Sequence, residues 1–137
     1  MAHWLFKSEP SAFSFERLQG CGAEGTDWSG VRNHSAKLNM QAMKVGEHGF
    51  FYHSNEGKAI VGIVEVAKAY RPDPTDASGK FGMVDIRAVR PLPRPVALEE
   101  VKAERRLAAM ALVTNSRLSV QPVTAAEWAL VCKMGGL

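Results

Sequence analysis

Trp28 opens the stretch WSGVRNHSAKLNMQAMKVGEHGFFYHSN, where it sits in a glycine-flanked turn beside Ser29 and Arg32. A core has little use for an indole in such a turn. A flat face next to a guanidinium suits stacking on a nucleobase instead, a contact worth ~1–3 kcal/mol per base. Tyr52 and Phe81 are candidates for a second aromatic wall, although aromatics on strands usually pack in the core. Lys7-Ser8-Glu9-Pro10 puts a cation, a hydroxyl and a carboxylate where a strand ends. Those residues form either a solvated turn or the polar edge of a ligand pocket, which His53 and Ser54 of FFYHSN would extend. Arg32, Lys37, Lys44, Lys58 and Arg117 are candidates for a phosphate-binding rim, with the helix start at Asn33 as a further anion site. Solvated helix faces explain the lysines equally well. The two arginines are the stronger candidates, since both sit in turns and arginine can grip a phosphate in a bidentate way.

Catalytic constellations are weaker. His53 with Asp27 or Glu9 suggests a small-molecule hydrolase, but no GxSxG elbow is present, and adjacent His53 and Ser54 on a strand point to opposite faces. The four histidines, His3, His34, His48 and His53, lack HExxH or other metal-ligand spacing, and no GxGxxG or Walker loop occurs. The expectation is a binding protein without metal or cofactor.

The elements that must position these residues follow from local signals. Ala2–Lys7 reads as an aromatic strand. Ser14 caps a short helix that ends at Gly20, with Phe13 and Leu18 spaced as a hydrophobic staple. Asn33 caps a second helix whose Ala36, Met40 and Met43 form one buried stripe. Phe50–Ser54 and Ala59–Ala67 are strands, the second apolar on both faces and therefore central, with Gly62 marking a bulge or a close approach. Residues 71–79 read as a loop and Met83–Arg90 as a half-buried strand. Pro91, Pro93 and Pro95 are expected to break the chain before a helix over 97–106. Leu107–Val113 adds a helical turn, Asn115–Val123 a loop and short strand, and Thr124 with Glu127 a capping box for the last helix. Strands and helices without βαβ alternation predict an α+β domain with a mainly antiparallel curved sheet or small barrel.

At 137 residues the chain predicts a single domain spanning 1–137 with a real core. No apolar run approaches the ~20 residues of a membrane helix. Cys21 and Cys132 are lone thiols, which suits a reducing cytoplasm, and no signal peptide is expected. A formal charge of +3 permits a nucleic-acid contact through a local patch without requiring one.

The segments WLFKSEP, WSGVRN, FFYHSN, GIVEV, YRPDPT, MVDIRAVRPL, MALVTNSRLSVQPVT and EW occur in an order that resembles the EVE domain family, over nearly the whole chain. In length it is similar to the short bacterial members. The resemblance implies a PUA-like fold, a curved β-barrel with helices packed around it, and a reader of modified bases, modified cytosine foremost. On that resemblance Lys7, Ser8 and Glu9 line the pocket's polar edge, Trp28 is an aromatic wall and Ser29 gives backbone contacts. Arg32 and Asn33 stand at the mouth, and Arg117 reaches a phosphate. Where many members carry a tryptophan before the MVD strand, this chain has a shortened DASGKFG with Phe81. The expected partner is thus modified DNA or RNA, single-stranded or with its base flipped. Behind it stand a pocket module for a peptide or metabolite and, last, the His53 hydrolase.

Overall fold

A computed structural model describes residues 2–137. Six strands, β1 (His3–Ser8), β2 (Thr26–Asp27), β3 (His48–His53), β4 (Ala59–Pro72), β5 (Gly82–Ala97) and β6 (Val120–Val123), form one sheet in the order β2-β5-β4-β3-β1-β6. All pairings are antiparallel except β1 with β3. Around the sheet lie helices α1 (Phe15–Gly20), α2 (His34–Ala42), α3 (Leu98–Ala103), α4 (Ala111–Thr114) and α5 (Ala125–Met134). The α+β, mainly antiparallel architecture is the expected one.

Strand alternation divides the core in two. Trp4 and Phe6 of β1 and Phe51 of β3 face a cluster closed by Phe15 and Leu18 of α1 and Ala36 and Met40 of α2. Leu5, Phe50 and Tyr52 face the other side, under Val101 of α3, Leu112 of α4 and Val131 of α5. Period-two geometry makes this division obligatory, since neighbours on a strand cannot share a face. Trp128 of α5 stacks on Phe50 with centroids 4.1 Å apart and on His3 at 4.3 Å.

The three expected helix starts are all present. Ser14 accepts from the Arg17 amide (3.2 Å) and Asn33 from Ala36 (2.9 Å), while Thr124 and Glu127 form the reciprocal box. At Gly62 the structure shows both alternatives: the register with β5 shifts there, and a Cβ would lie 2.3 Å from the Phe15 ring.

Other expectations need correction. Helix α2 stops at Ala42, so Met43 is extended, though still buried. Strand β4 continues through Arg71 and Pro72, which the sequence places in a loop. The prolines do not end the preceding strand, because Pro91, Pro93 and Pro95 lie inside β5. Between the pairs Ile60–Val96 and Gly62–Pro91, residues 92–95 of β5 stand opposite Val61 alone. Prolines are tolerated in such a bulge, where no ladder N–H is required. The helix expected over 97–106 is shorter, with α3 followed by a 3-10 turn at Arg105–Leu107. Among the described residues no helix is long and apolar enough to cross a membrane.

Candidate functional site

The loop carrying Trp28 is fixed by pairing rather than by helical packing. Thr26 and Asp27 pair with Ile86 and Asp85, and the Trp28 amide donates to the Val84 carbonyl at 2.7 Å. Gly25 enters this short strand at φ 68°, and a Cβ there would lie 2.0 Å from the Ile86 carbonyl oxygen. Only glycine fits a position that combines positive φ with such close backbone approach. The indole is half-buried, and the rings of Phe6, Phe13 and Phe51 meet it at 75°, 74° and 78°. Perpendicular contacts of this kind are favourable for aromatic quadrupoles, and three of them fix the plane of the indole.

Beside the indole opens a hollow of about 220 Å³ lined by Ser8, Phe13, Thr26, Asp27, Trp28 and Ser29. This is smaller than the ~300–1,000 Å³ of sites for drug-sized ligands, and matches a single flat ring. The Ser8 hydroxyl donates to the Phe13 carbonyl at 2.6 Å, tying the end of β1 to the turn before α1. The exposed Asp27 carboxylate is the one formal charge in the lining among the described residues.

A second fixture is Asp73, whose side chain is fully buried. Its Oδ2 accepts from the Gly30 amide (2.8 Å) and from Arg32 Nη1 (3.1 Å), and its Oδ1 accepts from the Thr75 amide (2.7 Å) and hydroxyl (2.6 Å). Burial pushes this carboxyl up, but the Thr75, Gly30 and Arg32 donors together hold it well below the usual carboxylate range. Asp76 acts likewise one turn later. The Ser78 hydroxyl and the Phe81 and Ser78 amides bring its pKa down to about 2. Asp73 thus ties the 73–81 loop to the Trp28 loop, while Asp76 closes the loop on itself. Phe81, positioned by this loop, carries Arg32 at 5.9 Å and Lys37 at 5.7 Å from its ring centre.

The EVE domain family model matches residues 2–134. The chain belongs to the EVE domain family. A solved protein from Rhodopseudomonas palustris is 64% identical, with a TM-score of 0.94, over 99% of this chain and 94% of that one. The human THYN1 protein, solved in complex with 5-methylcytosine-containing DNA, is 34% identical with a TM-score of 0.91, over 100% of this chain and 99% of that one. A YTH domain of Zygosaccharomyces rouxii, solved with N6-methyladenosine RNA, is 20% identical with a TM-score of 0.61 over 99% and 87%, a likeness of fold. The fold is PUA-like, as the resemblance implies.

This EVE domain does not gather all the expected site residues in one place. Ser8, Trp28 and Ser29 line the hollow described above. His53 lies on the same face, its ring 5.7 Å from Phe51, but its Nε2 accepts from the Phe15 amide at 3.1 Å. Burial lowers its pKa, with Glu16 opposing, so the neutral ring anchors α1. That nitrogen is therefore not free to act as the base of the hydrolase alternative, and no hydrogen bond joins His53 to Asp27 or Glu9 among the described residues. Asn33 spends its side chain on its cap. Glu9 is exposed and lines neither this hollow nor the lysine-lined one on the other face of β1.

Lys7, Tyr52 and Ser54 line that second hollow instead. Arg117 is exposed and follows Ser116 of its lining. Phe81 makes no ring contact with Trp28 among the described residues, and serves the Arg32–Lys37 cluster. The sequence reads Phe13 only as a helix staple and Asp27 only as a hydrolase partner, and it singles out neither Thr26 nor Asp73. The spacing of Asp73 to Thr75 and of Asp76 to Ser78 is the available signal, since Asp accepting from a backbone amide two residues on is a turn signature.

Proposed function

We propose that this chain is a nucleic-acid-binding module that captures one modified base, modified cytosine foremost, in the hollow beside Trp28. The observation that carries the proposal is the held indole bordering a single-ring hollow, in a chain whose relative THYN1 was solved with 5-methylcytosine DNA. A base entering there stacks on Trp28 and turns its edge to Ser8, Ser29 and Asp27. A carboxylate accepts from the exocyclic amine of cytosine, which makes Asp27 the natural partner for that edge. Arg32 and Lys37, beside Phe81, supply positive charge next to the mouth.

The energies set what selectivity is possible. Extruding a base costs a few kcal/mol, against ~1–3 from stacking plus the edge contacts. A buried methyl group adds ~0.8 kcal/mol, about fourfold in affinity. Strong preference for a methylated base therefore requires that a competing base meet a clash or leave a polar group unpaired.

Tryptophan fluorescence titrations with single-stranded oligonucleotides carrying cytosine, 5-methylcytosine, 5-hydroxymethylcytosine, adenine or N6-methyladenine test the proposal, with Trp28→Phe as control. Salt-sensitive quenching strongest for one modified base is the expected result. Identical curves for all five bases, unchanged in Trp28→Phe, would sink it.

A further inference from the structure

Lys7 and Ser8 are consecutive on β1, so the strand sends them to opposite faces of the sheet. Ser8 borders the Trp28 hollow, whereas Lys7 borders a hollow of about 270 Å³ shared with Tyr52, Ser54, Lys58, Lys102 and Ser116. That hollow adjoins another of about 460 Å³, and Asn55, Lys58, Leu98 and Lys102 line both. Together they make a groove between the β3–β4 turn and α3. Three lysines and no carboxylate line its inner part among the described residues, and Glu99 enters the outer part.

Three features suit this groove to phosphate. The Lys7 ammonium is held in place, donating to the Ser116 carbonyl at 2.5 Å and lying 5.8 Å from the Tyr52 ring centre. Leu98 and Lys102 stand one turn apart on α3, so one helix face presents an apolar floor and a cation together. Ser54 and Ser116 add two small polar residues to the same lining. The Trp28 hollow offers the reverse, an aromatic surface with Asp27 and, among the described residues, no cation in its lining. A base site lined that way needs the charge of the neighbouring phosphates met elsewhere.

We infer that the groove lined by Lys7, Lys58 and Lys102 is a second nucleic-acid site, taking phosphates of the single strand that flanks the captured base. The inference rests on the base-capture proposal for the placement of that strand, which crosses the ends of β1 and β3 to pass from one hollow to the other. The phosphate chemistry of the groove stands on its own lining.

Anisotropy titrations of the full chain with labelled oligonucleotides of three and ten nucleotides, each with one 5-methylcytosine or one cytosine, at several salt concentrations, provide the test. Lys58→Gln/Lys102→Gln is the main variant, since both side chains are exposed and a thermal melt checks that it folds. The wild type should bind the ten-mer more tightly than the three-mer. The double variant should lose that gain, leave the three-mer unchanged, and reduce the salt slope by about 1.4 for two lost contacts to a single strand. An unchanged ten-mer affinity and slope in the double variant would overturn the groove and leave base capture standing. A lysine-dependent length gain without preference for 5-methylcytosine would keep the groove and overturn capture of 5-methylcytosine beside Trp28. No binding of either length by the wild type overturns both. Displacement of the ten-mer by poly-glutamate at equal charge, as effective as displacement by unlabelled ten-mer, would reassign the groove to an acidic protein.

Discussion

The Trp28 hollow and the lysine groove stand one residue apart along β1, yet none of the described residues lines both. The first is closely packed, and no lysine or arginine lines it among the described residues. Three phenylalanine rings hold its indole, and Asp73 pins the neighbouring backbone. The second is polar and cationic, built from long side chains on a turn and a short helix. A preorganised aromatic surface discriminates among flat rings, because a misfit cannot be relieved by movement. Flexible ammonium groups accept any phosphate within reach and discriminate little. Under the two proposals, the sheet separates recognition of a base from grip on a backbone.

The largest effect that would break this contrast is expected at Asp73. Asp73→Ala leaves the Gly30 and Thr75 amides without their acceptor and frees Arg32 from its partner. The loss should be ~3 kcal/mol by urea denaturation, moderated because Arg32 can turn to water. Base preference should fall with it while the length gain on the lysine side survives. If both fall in proportion, the two regions are not independent.

Trp28→Ala comes next. Loss of one stacked base predicts a roughly 5- to 150-fold weaker Kd for the preferred oligonucleotide. The salt slope should stay as in the wild type, because no phosphate contact is removed. A slope that drops by a unit or more would place Trp28 among the backbone contacts instead.

Acid should loosen the Trp28 side. The Asp73 pKa is lowered in the folded chain, so its stabilisation is complete above the ordinary carboxylate value of ~3.9 and is lost as pH falls through the folded value. Urea midpoints measured downward from pH 5 should therefore decline below about pH 4, with a shallower decline in Asp73→Ala. Parallel profiles for the two proteins would show that other groups govern acid unfolding.

Phe81→Ala should matter least. Its contacts with Arg32 and Lys37 are of a kind worth ~0.5–1 kcal/mol at exposed sites, so affinity should drop roughly two- to fivefold with base preference unchanged. A change in preference would make Phe81 the second wall of the base pocket.

Local signals in the sequence were dependable where the structure is local. Ser14, Asn33 and Thr124 cap their helices because a cap needs its own side chain and an amide two or three residues ahead. The family segments also carried the fold. Features set by distant pairing were not legible. Two-residue β2 exists only through Ile86 and Asp85, and β5 runs through Pro93 and Pro95 because β4 leaves residues 92–95 almost unopposed, with Pro91 at the last register pair before them. The scatter of the candidate site was more accessible. The alternation that parts His53 from Ser54 parts Lys7 from Ser8 as well, so a single pocket lined by both was geometrically closed from the start. Asp73 is legible only as the start of a turn with Thr75, because its other partners Gly30 and Arg32 lie more than forty positions upstream.

The bulged stretch of β5 also bears on how the molecule behaves in company. A long strand with a bare edge is a template on which another copy can add its own strand. Here Pro91, Pro93 and Pro95 have no amide hydrogen to offer, and the Arg94 amide is already taken by the Gly135 carbonyl at 3.0 Å. A foreign strand arriving at that stretch finds no run of donors to zip onto. A concentrated solution of this protein is thereby protected along this part of β5 against strand-to-strand polymerisation, by the same residues that interrupt its own ladder.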